Sequence, residues 1–299
     1  MTNGRILFMK YLPVEQINKT GIATALYTLK TDETWRYACE EDLPNYAAIA
    51  NVFGAEASDM VRIFPSHSSS VKVITAADKG EGVLYPAKGA TPAMAAPIDP
   101  DNYDAYDAMI TNIPGVVLCG IAGDCPPVYL LDAKTPAIAM IHSGWRGTAG
   151  QISANALRLM TENYGTDPAD VIAHIGPHIC RDCYEVSADL IPEFAAHYSE
   201  DEMAEIFTAR DEAASGSGAP VSGAPTLGVS TRDASTTPAS GKYLLDLSAA
   251  IAYSLIHAGV PAEQISDCGH CSFHDERFCS WRRDGLKHSR TFTAIALKP

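Results

Sequence analysis

The sequence predicts an α+β fold, and three observations carry that expectation. Short β-branched runs crowd together between residues 108 and 141 with turn-sized gaps, the spacing of hairpins rather than of helical crossovers. Helical periodicity is confined to separate stretches, clearest over 148–163. At 299 residues and 46% hydrophobic, the chain can bury one large core or two small ones.

Taken in order, 5–12 and 23–29 read as strands, and 45–53 as a helix that stops at Gly54. A strand follows at 71–75. The Gly-, Ala- and Pro-rich stretch 79–101 predicts a long loop. Strands are then expected at 108–110, 116–121, 128–131 and 137–141. Over 148–163, Ala149, Ile152, Ala156, Leu159 and Met160 share one helical face, with Gly165 as the stop. A strand at 171–175 precedes helices at 188–197, 201–207 and 248–257, the last ended by Gly259. The tract 212–241 is Gly, Ala, Ser, Thr and Pro with almost no large apolar residues. It buries too little to offset its ordering and reads as a surface insertion. Too little chain follows it to build a second core, so a single domain over 1–299 is expected.

Composition excludes several partners. A formal charge of −14 argues against a nucleic-acid surface, which needs a basic face. No apolar run approaches the roughly 18 residues of a membrane helix. The opening MTNGRILFMKYLP holds too short an apolar run for a signal peptide. A soluble cytoplasmic protein is expected, monomer or dimer, without nucleic-acid or membrane partners. Eight cysteines in such a chain favour thiols or metal ligands over a disulfide framework.

Most of the chemistry lies in 116–150, VVLCGIAGDCPPVYLLDAKTPAIAMIHSGWRGTAG. Runs 127–132 and 137–142 flank the turn-forming segment 133–136. Paired antiparallel, they bring Cys125 and His142 to the same end, a thiol beside an imidazole above a Gly-rich bend. A catalytic zinc takes about three protein ligands and keeps one position open. His67, in FPSHSSSVKV, is the best third candidate among nine histidines. Hairpin geometry alone leaves equally open a structural Cys125 and a hydrogen-bonded His142.

The segment SGWRGT, 143–148, offers backbone N–H groups and the Arg146 guanidinium at a helix start, a setting for phosphate. An N-cap at Thr148 with a solvated Arg146 fits the same residues. Arg282 and Arg283 in SWRRDG join this mouth only if the chain folds back over it. The pairs Cys180/Cys183 and Cys268/Cys271 have the spacing of a four-thiolate zinc site, with His270 and His274 as further ligands. Reduced free thiols are the simpler reading in a reducing compartment.

Together these segments resemble the YfiH-type laccase-domain family, whose members are labelled multicopper polyphenol oxidases. The likeness runs from about His67 onward and is closest in YDAMITNIPGVVLCGIAGDCPPVYLLD, AIAMIHSGWRGTAGQI, HIGPHICRDCYEV and CSFHDERFCSWRRDGLKHSR. It implies a four-layer αββα sandwich and a zinc on His67, Cys125 and His142. It also implies phosphorolysis of adenosine, inosine, guanosine and methylthioadenosine, with adenosine deamination. In that setting Asp124 is the candidate for stabilising oxocarbenium charge or moving a proton. Arg146 is the phosphate ligand, and Tyr184, Arg282 and Arg283 are wall residues.

The chain departs from the family at several places. The N-terminal Gly-Gly-Val-Ser…Asn-Leu-Gly stretch is missing from 20–44, and Asn45-Tyr46 stands for Asn-Arg. Gly123 replaces Ala before Asp-Cys, and Ser289 replaces Gly before Arg290. A four-copper site needs about ten histidines. Nine, with no His-x-His pair, exclude it, so copper is an alternative or adventitious occupant of one His₂Cys site, with weak polyphenol oxidation as a side activity. Two rivals stand beside the zinc enzyme. One is a cysteine hydrolase with Cys125 as nucleophile and His142 as base, and the other a non-catalytic metal-binding module.

Overall fold

The central strands are apolar on both faces because each of the two large sheets is covered twice. A computed structural model of the chain describes residues 10–30, 43–63, 65–84, 106–210, 241–285 and 290–299. Along the hairpin Pro127–Asp132 and Ala137–His142, Tyr129, Leu131, Ile138 and Met140 point into a central layer shared with Tyr27, Leu118 and Ile295. The alternate residues Val128, Leu130, Ala139 and Ile141 pack outward on Ile152, Leu157, Ile251 and Leu255, from helices Ile152–Tyr164 and Leu247–His257. On the far side, helix Leu43–Val52 lays Tyr46 and Ile49 on Val117, Cys119 and Phe292. The order helix, sheet, sheet, helix follows from this alternation. The fold is α+β with mixed sheets.

The six-stranded sheet runs Ile265–Asp267, Val171–Ile175, Pro127–Asp132, Ala137–His142, Ala108–Thr111, Val71–Val73, with parallel pairs at both edges. The five-stranded sheet runs Tyr11–Pro13, Ala23–Thr28, Thr291–Leu297, Val117–Ala122, Met60–Arg62, and only its last pair is parallel. A small antiparallel sheet of Glu185–Ser187, Lys242–Leu245 and Phe207–Ala209 packs with Phe194, Ile206 and Leu247.

Several expected elements change. The helix expected over 148–163 is two helices, Trp145–Ala149 and Ile152–Tyr164, broken where Gln151 takes a φ of 58°. Thr148 is therefore no N-cap: its hydroxyl is buried and donates to the carbonyls of Ser143 and Gly144. Gly165 does end the second helix, in the left-handed region at φ 76°. The helix expected at 188–197 shrinks to Ile191–Ala195 after a 3₁₀ turn, with Pro192 among its first residues. The strand expected at 5–12 is described only as Tyr11–Pro13, and the tract 212–241 lies almost wholly outside the described residues, as does most of 79–101. Among the described residues no helix is long and apolar enough to cross a membrane.

Topology gathers the candidate ligands. Strands Met60–Arg62 and Val117–Ala122 are parallel, so the chain leaves both at one end and crosses to the six-stranded sheet there. His67 lies on the first crossing and Cys125 on the second. The hairpin register pairs Pro127 with His142, which returns His142 to that same end.

The central layer also buries an imidazole. His174 lies between Tyr27 and Tyr129, with ring centroids 6.4 and 6.0 Å away, and its Nδ1 is 2.8 Å from Ser266 Oγ. Burial draws its pKa from 6.5 down to about 4. A depressed folded-state pKa contributes stability above pH 6.5 that is lost as pH falls towards 4. His174 is expected to contribute a loss of about 3 kcal/mol to denaturant-unfolding stability across that window, and His174→Gln should reduce the slope by that share. An unchanged slope in that variant would remove His174 from the account.

Candidate metal centre

His67, Cys125 and His142 each offer a ligand atom within 4.8 Å of the other two. The two imidazoles meet edge to face with centroids 5.3 Å apart. His67 is exposed, Cys125 half-buried and His142 6% exposed, so the cluster is open on the His67 side. A methyl group on Gly144 would lie 3.0 Å from His67 Cδ2 and 3.1 Å from Cys125 Sγ. That glycine leaves the space into which the donors converge.

One buried carboxylate holds the cluster. Asp107, fully buried, accepts the Ser66 N–H at 3.1 Å, the His67 N–H at 3.0 Å and the Ser68 N–H at 2.7 Å. The hydroxyls of Ser66 and Ser68 donate to it at 2.6 and 2.8 Å, and His142 Nδ1 lies 2.9 Å from it. The carboxylate thus shapes the His67 loop, including the φ of 63° at His67, and by engaging Nδ1 of His142 leaves Nε2 as the ring nitrogen for a metal. Burial raises a carboxyl pKa, but the donors from His142, Ser66 and Ser68 hold Asp107 at about 2. Asp107 is absent from the residues singled out above. Its signal was its place just before a strand rich in buried residues, where a charge needs partners.

Electrostatics suit a cation. Burial would raise the Cys125 thiol, yet the His142 and His67 imidazoles reverse this and draw it down to about 6. Burial would lower His142, but the Cys125 thiolate and the Asp107 carboxylate push it up to about 10. The field that keeps a proton on His142 equally favours a metal ion between the thiolate and the imidazoles.

The remaining predicted residues divide. Tyr184 is raised to about 12 by burial and by the Cys125 charge, with Arg282 and Arg146 opposing, so these groups share one electrostatic neighbourhood. Arg282 stacks over the Tyr184 ring at 5.3 Å, and the exposed Arg146 stacks over Trp145 at 4.2 Å. Asp124 is 9% exposed, with both oxygens engaged: Ser272 Oγ–H donates at 2.6 Å and the Arg282 backbone N–H at 2.6 Å. Arg283 turns inward. Its guanidinium donates to the carbonyls of Ser272, Phe273 and Phe278 at 2.7, 3.0 and 2.7 Å, which makes it a clasp on a loop rather than a wall. Tyr46 is 1% exposed and packs on Phe292, with the Arg62 guanidinium 5.9 Å from its ring centre, so its replacement of the family arginine is a change of core packing. The arrangement expected for the CxxC pairs also changes. Cys268 lies beside Tyr27, and Cys180, Cys183 and Cys271 gather with His274 instead.

Comparison with known proteins gives the family and the fold. A family model described as multi-copper polyphenol oxidoreductase laccase matches residues 39–298. The chain is 32% identical over 197 residues to adenosine deaminase RL5 of an unknown prokaryotic organism, covering 65% of this chain and 63% of that protein. It is 32% identical over 192 residues to a purine nucleoside phosphorylase of Bacteroides thetaiotaomicron, covering 64% and 60%. It is 28% identical over 255 residues to purine nucleoside phosphorylase YlmD of Bacillus subtilis, covering 85% and 76%. The first two matches thus span less than two thirds of those relatives' lengths. The crystal structure of Bacillus licheniformis hypothetical protein YfiH superposes with a TM-score of 0.73 over 98% of both chains, at 23% identity, a likeness of fold.

Asp107→Asn keeps the shape but loses the charge and two acceptor positions. Metal affinity, read by competition with a chromogenic chelator, should fall roughly 10–100-fold. Unchanged affinity would show that the His67 loop and the His142 ring need no carboxylate.

Proposed function

The chain belongs to the multi-copper polyphenol oxidoreductase laccase family, and from that premise we propose that it is a zinc-dependent purine-nucleoside enzyme. It phosphorolyses adenosine, inosine, guanosine and methylthioadenosine and deaminates adenosine, with 1–299 as one catalytic domain in the cytoplasm. The observation that carries the reading is the convergence of His67, Cys125 and His142 at a mouth open on the His67 side, with Arg146 on the helix that follows His142. The names of the relatives support the substrate class. Two imidazoles and a thiolate form a zinc set with room for a further ligand. Copper at the same donors, with weak phenol oxidation, is a side activity of one ion.

Held by His67, Cys125 and His142, a zinc ion would supply Lewis acidity to a water or substrate oxygen. The chain's own groups hold the reactants. Asp107 fixes the two histidines. Arg146 and the backbone N–H groups before it hold phosphate, and Tyr184 and Arg282 form part of the nucleoside wall. In phosphorolysis a phosphate oxygen bonds to the anomeric carbon as the glycosidic C–N bond breaks, its electron pair leaving with the purine. In deamination water oxygen replaces the amine on the purine ring and ammonia leaves. Asp124, with both oxygens occupied, contributes fixed negative charge behind Cys125.

The low pKa of Cys125 favours a second reading, a cysteine nucleophile with His142 as base. Chelation separates the two. Purine nucleosides are assayed with and without phosphate, before and after dialysis against a chelator. Metal removal should abolish both activities and zinc should restore them; activity that survives chelation and disappears on alkylation of Cys125 overturns the zinc reading. Cys125→Ala should lose both activities and one equivalent of zinc. Arg146→Ala should raise the KM for phosphate roughly 10–100-fold while sparing deamination, the loss of one charged hydrogen-bonding pair.

A further inference from the structure

We propose that Cys180, Cys183, Cys271 and His274 hold a second zinc ion, a closed structural site separate from the mouth. The four ligand atoms lie within 4.8 Å of one another, and Cys183 Sγ is 3.3 Å from His274 Nε2. A tetrahedron with Zn–S near 2.3 Å and Zn–N near 2.0 Å has edges of roughly 3.5–3.8 Å, so the donors need only small shifts to surround an ion. Three thiolates and one imidazole leave no open position, the donor set of structural zinc.

Local backbone builds the site as two turns, each with ligands at i and i+3. Residues Arg181–Cys183 form a 3₁₀ turn in which the Cys183 N–H donates to the Cys180 carbonyl at 3.0 Å. In the second turn, the Asp275 N–H donates to the Cys271 carbonyl at 2.8 Å. A parallel bridge between His178 and Cys271 sets the turns side by side. The N–H of Cys180 donates to Cys271 Sγ at 3.4 Å, and those of Phe273 and His274 point at the same sulfur. Sulfur ringed by backbone N–H donors is stabilised as thiolate, the form that binds metal.

The position of the site gives it a purpose. Ser272 lies between Cys271 and His274, and its hydroxyl donates to Asp124, the residue before Cys125. The Ile179 N–H, on the residue just before the first turn, donates to the Asp124 carbonyl at 3.0 Å, so Asp124 is held by its side chain from the second turn and by its backbone from the start of the first. Asp124 has a φ of 98°, a conformation that needs such support. The second ion therefore positions the catalytic mouth without touching substrate. The zinc count stands apart from the proposed activity: a chain inactive on nucleosides would still carry this ion.

Zinc per chain is measured by elemental analysis after purification under reducing conditions without chelator. The wild type should hold two, Cys125→Ala one, and Cys183→Ser or His274→Ala one. Replacing the zinc of the Cys125→Ala chain by Co²⁺ should give tetrahedral absorption with a sulfur-to-cobalt band about three quarters that of the cobalt-loaded wild type, matching three thiolates against four. That spectrum keeps the idea testable if the second-site variants fold poorly. A single zinc in the wild type that is lost in Cys125→Ala, no cobalt band in Cys125→Ala, or a Cys180–Cys271 disulfide found by mass mapping of anaerobically prepared protein would each overturn the assignment.

Discussion

The candidate mouth depends on the charge of Asp107. An ionised carboxylate with no exposed surface survives only when its oxygens are saturated, and here Ser66, His67, Ser68 and His142 saturate them. The bonds act both ways. They lower the cost of burying the charge, and they shape a loop that has no regular hydrogen bonding of its own. His67 takes its strained backbone and His142 its ring orientation from one group, so the two ligand positions are coupled.

Layering supplies the rest. A chain that shuttles between two face-packed sheets must cross their gap, and the parallel pair Met60–Arg62 with Val117–Ala122 puts two crossings side by side. Crossings cannot be apolar throughout, because their backbone groups lack ladder partners. They are therefore where side-chain hydrogen bonding and metal-binding residues can gather. The six-stranded sheet adds His142 at a strand end, and the small third sheet sets Tyr184 beside the cluster. No single element holds the site; it exists where the layers meet.

Much of this was legible in the sequence, for identifiable reasons. The hairpin of Pro127–Asp132 and Ala137–His142 is a local feature, and its register followed from its turn. Helices with an outward stripe and a terminal glycine were equally local. Short strands were not: Met60–Arg62, Glu185–Ser187 and Ile265–Asp267 are too brief to carry a period and exist through partners distant in sequence. Strand Thr291–Leu297 did carry alternation, with Phe292, Ala294 and Ala296 on one face, yet both faces are buried and the contrast between them is slight. The break at Gln151 hid inside a continuous apolar stripe. The roles of Asp124 and Arg283 turned on partners in the loop of residues 271–278, which no local pattern reveals. Cys268 and His274 exchanged places as candidate ligands for the same reason: spacing marks which residues can share a turn, and only tertiary pairing decides which turns meet.

Strand Thr291–Leu297 sits between Ala23–Thr28 and Val117–Ala122, and it is synthesised after both. Until it emerges, each of those older strands presents a bare, apolar hydrogen-bonding edge, and the five-stranded sheet is split. Closing this layer therefore waits on the last of its strands in chain order, and until then the two open edges are the places where another chain could pair.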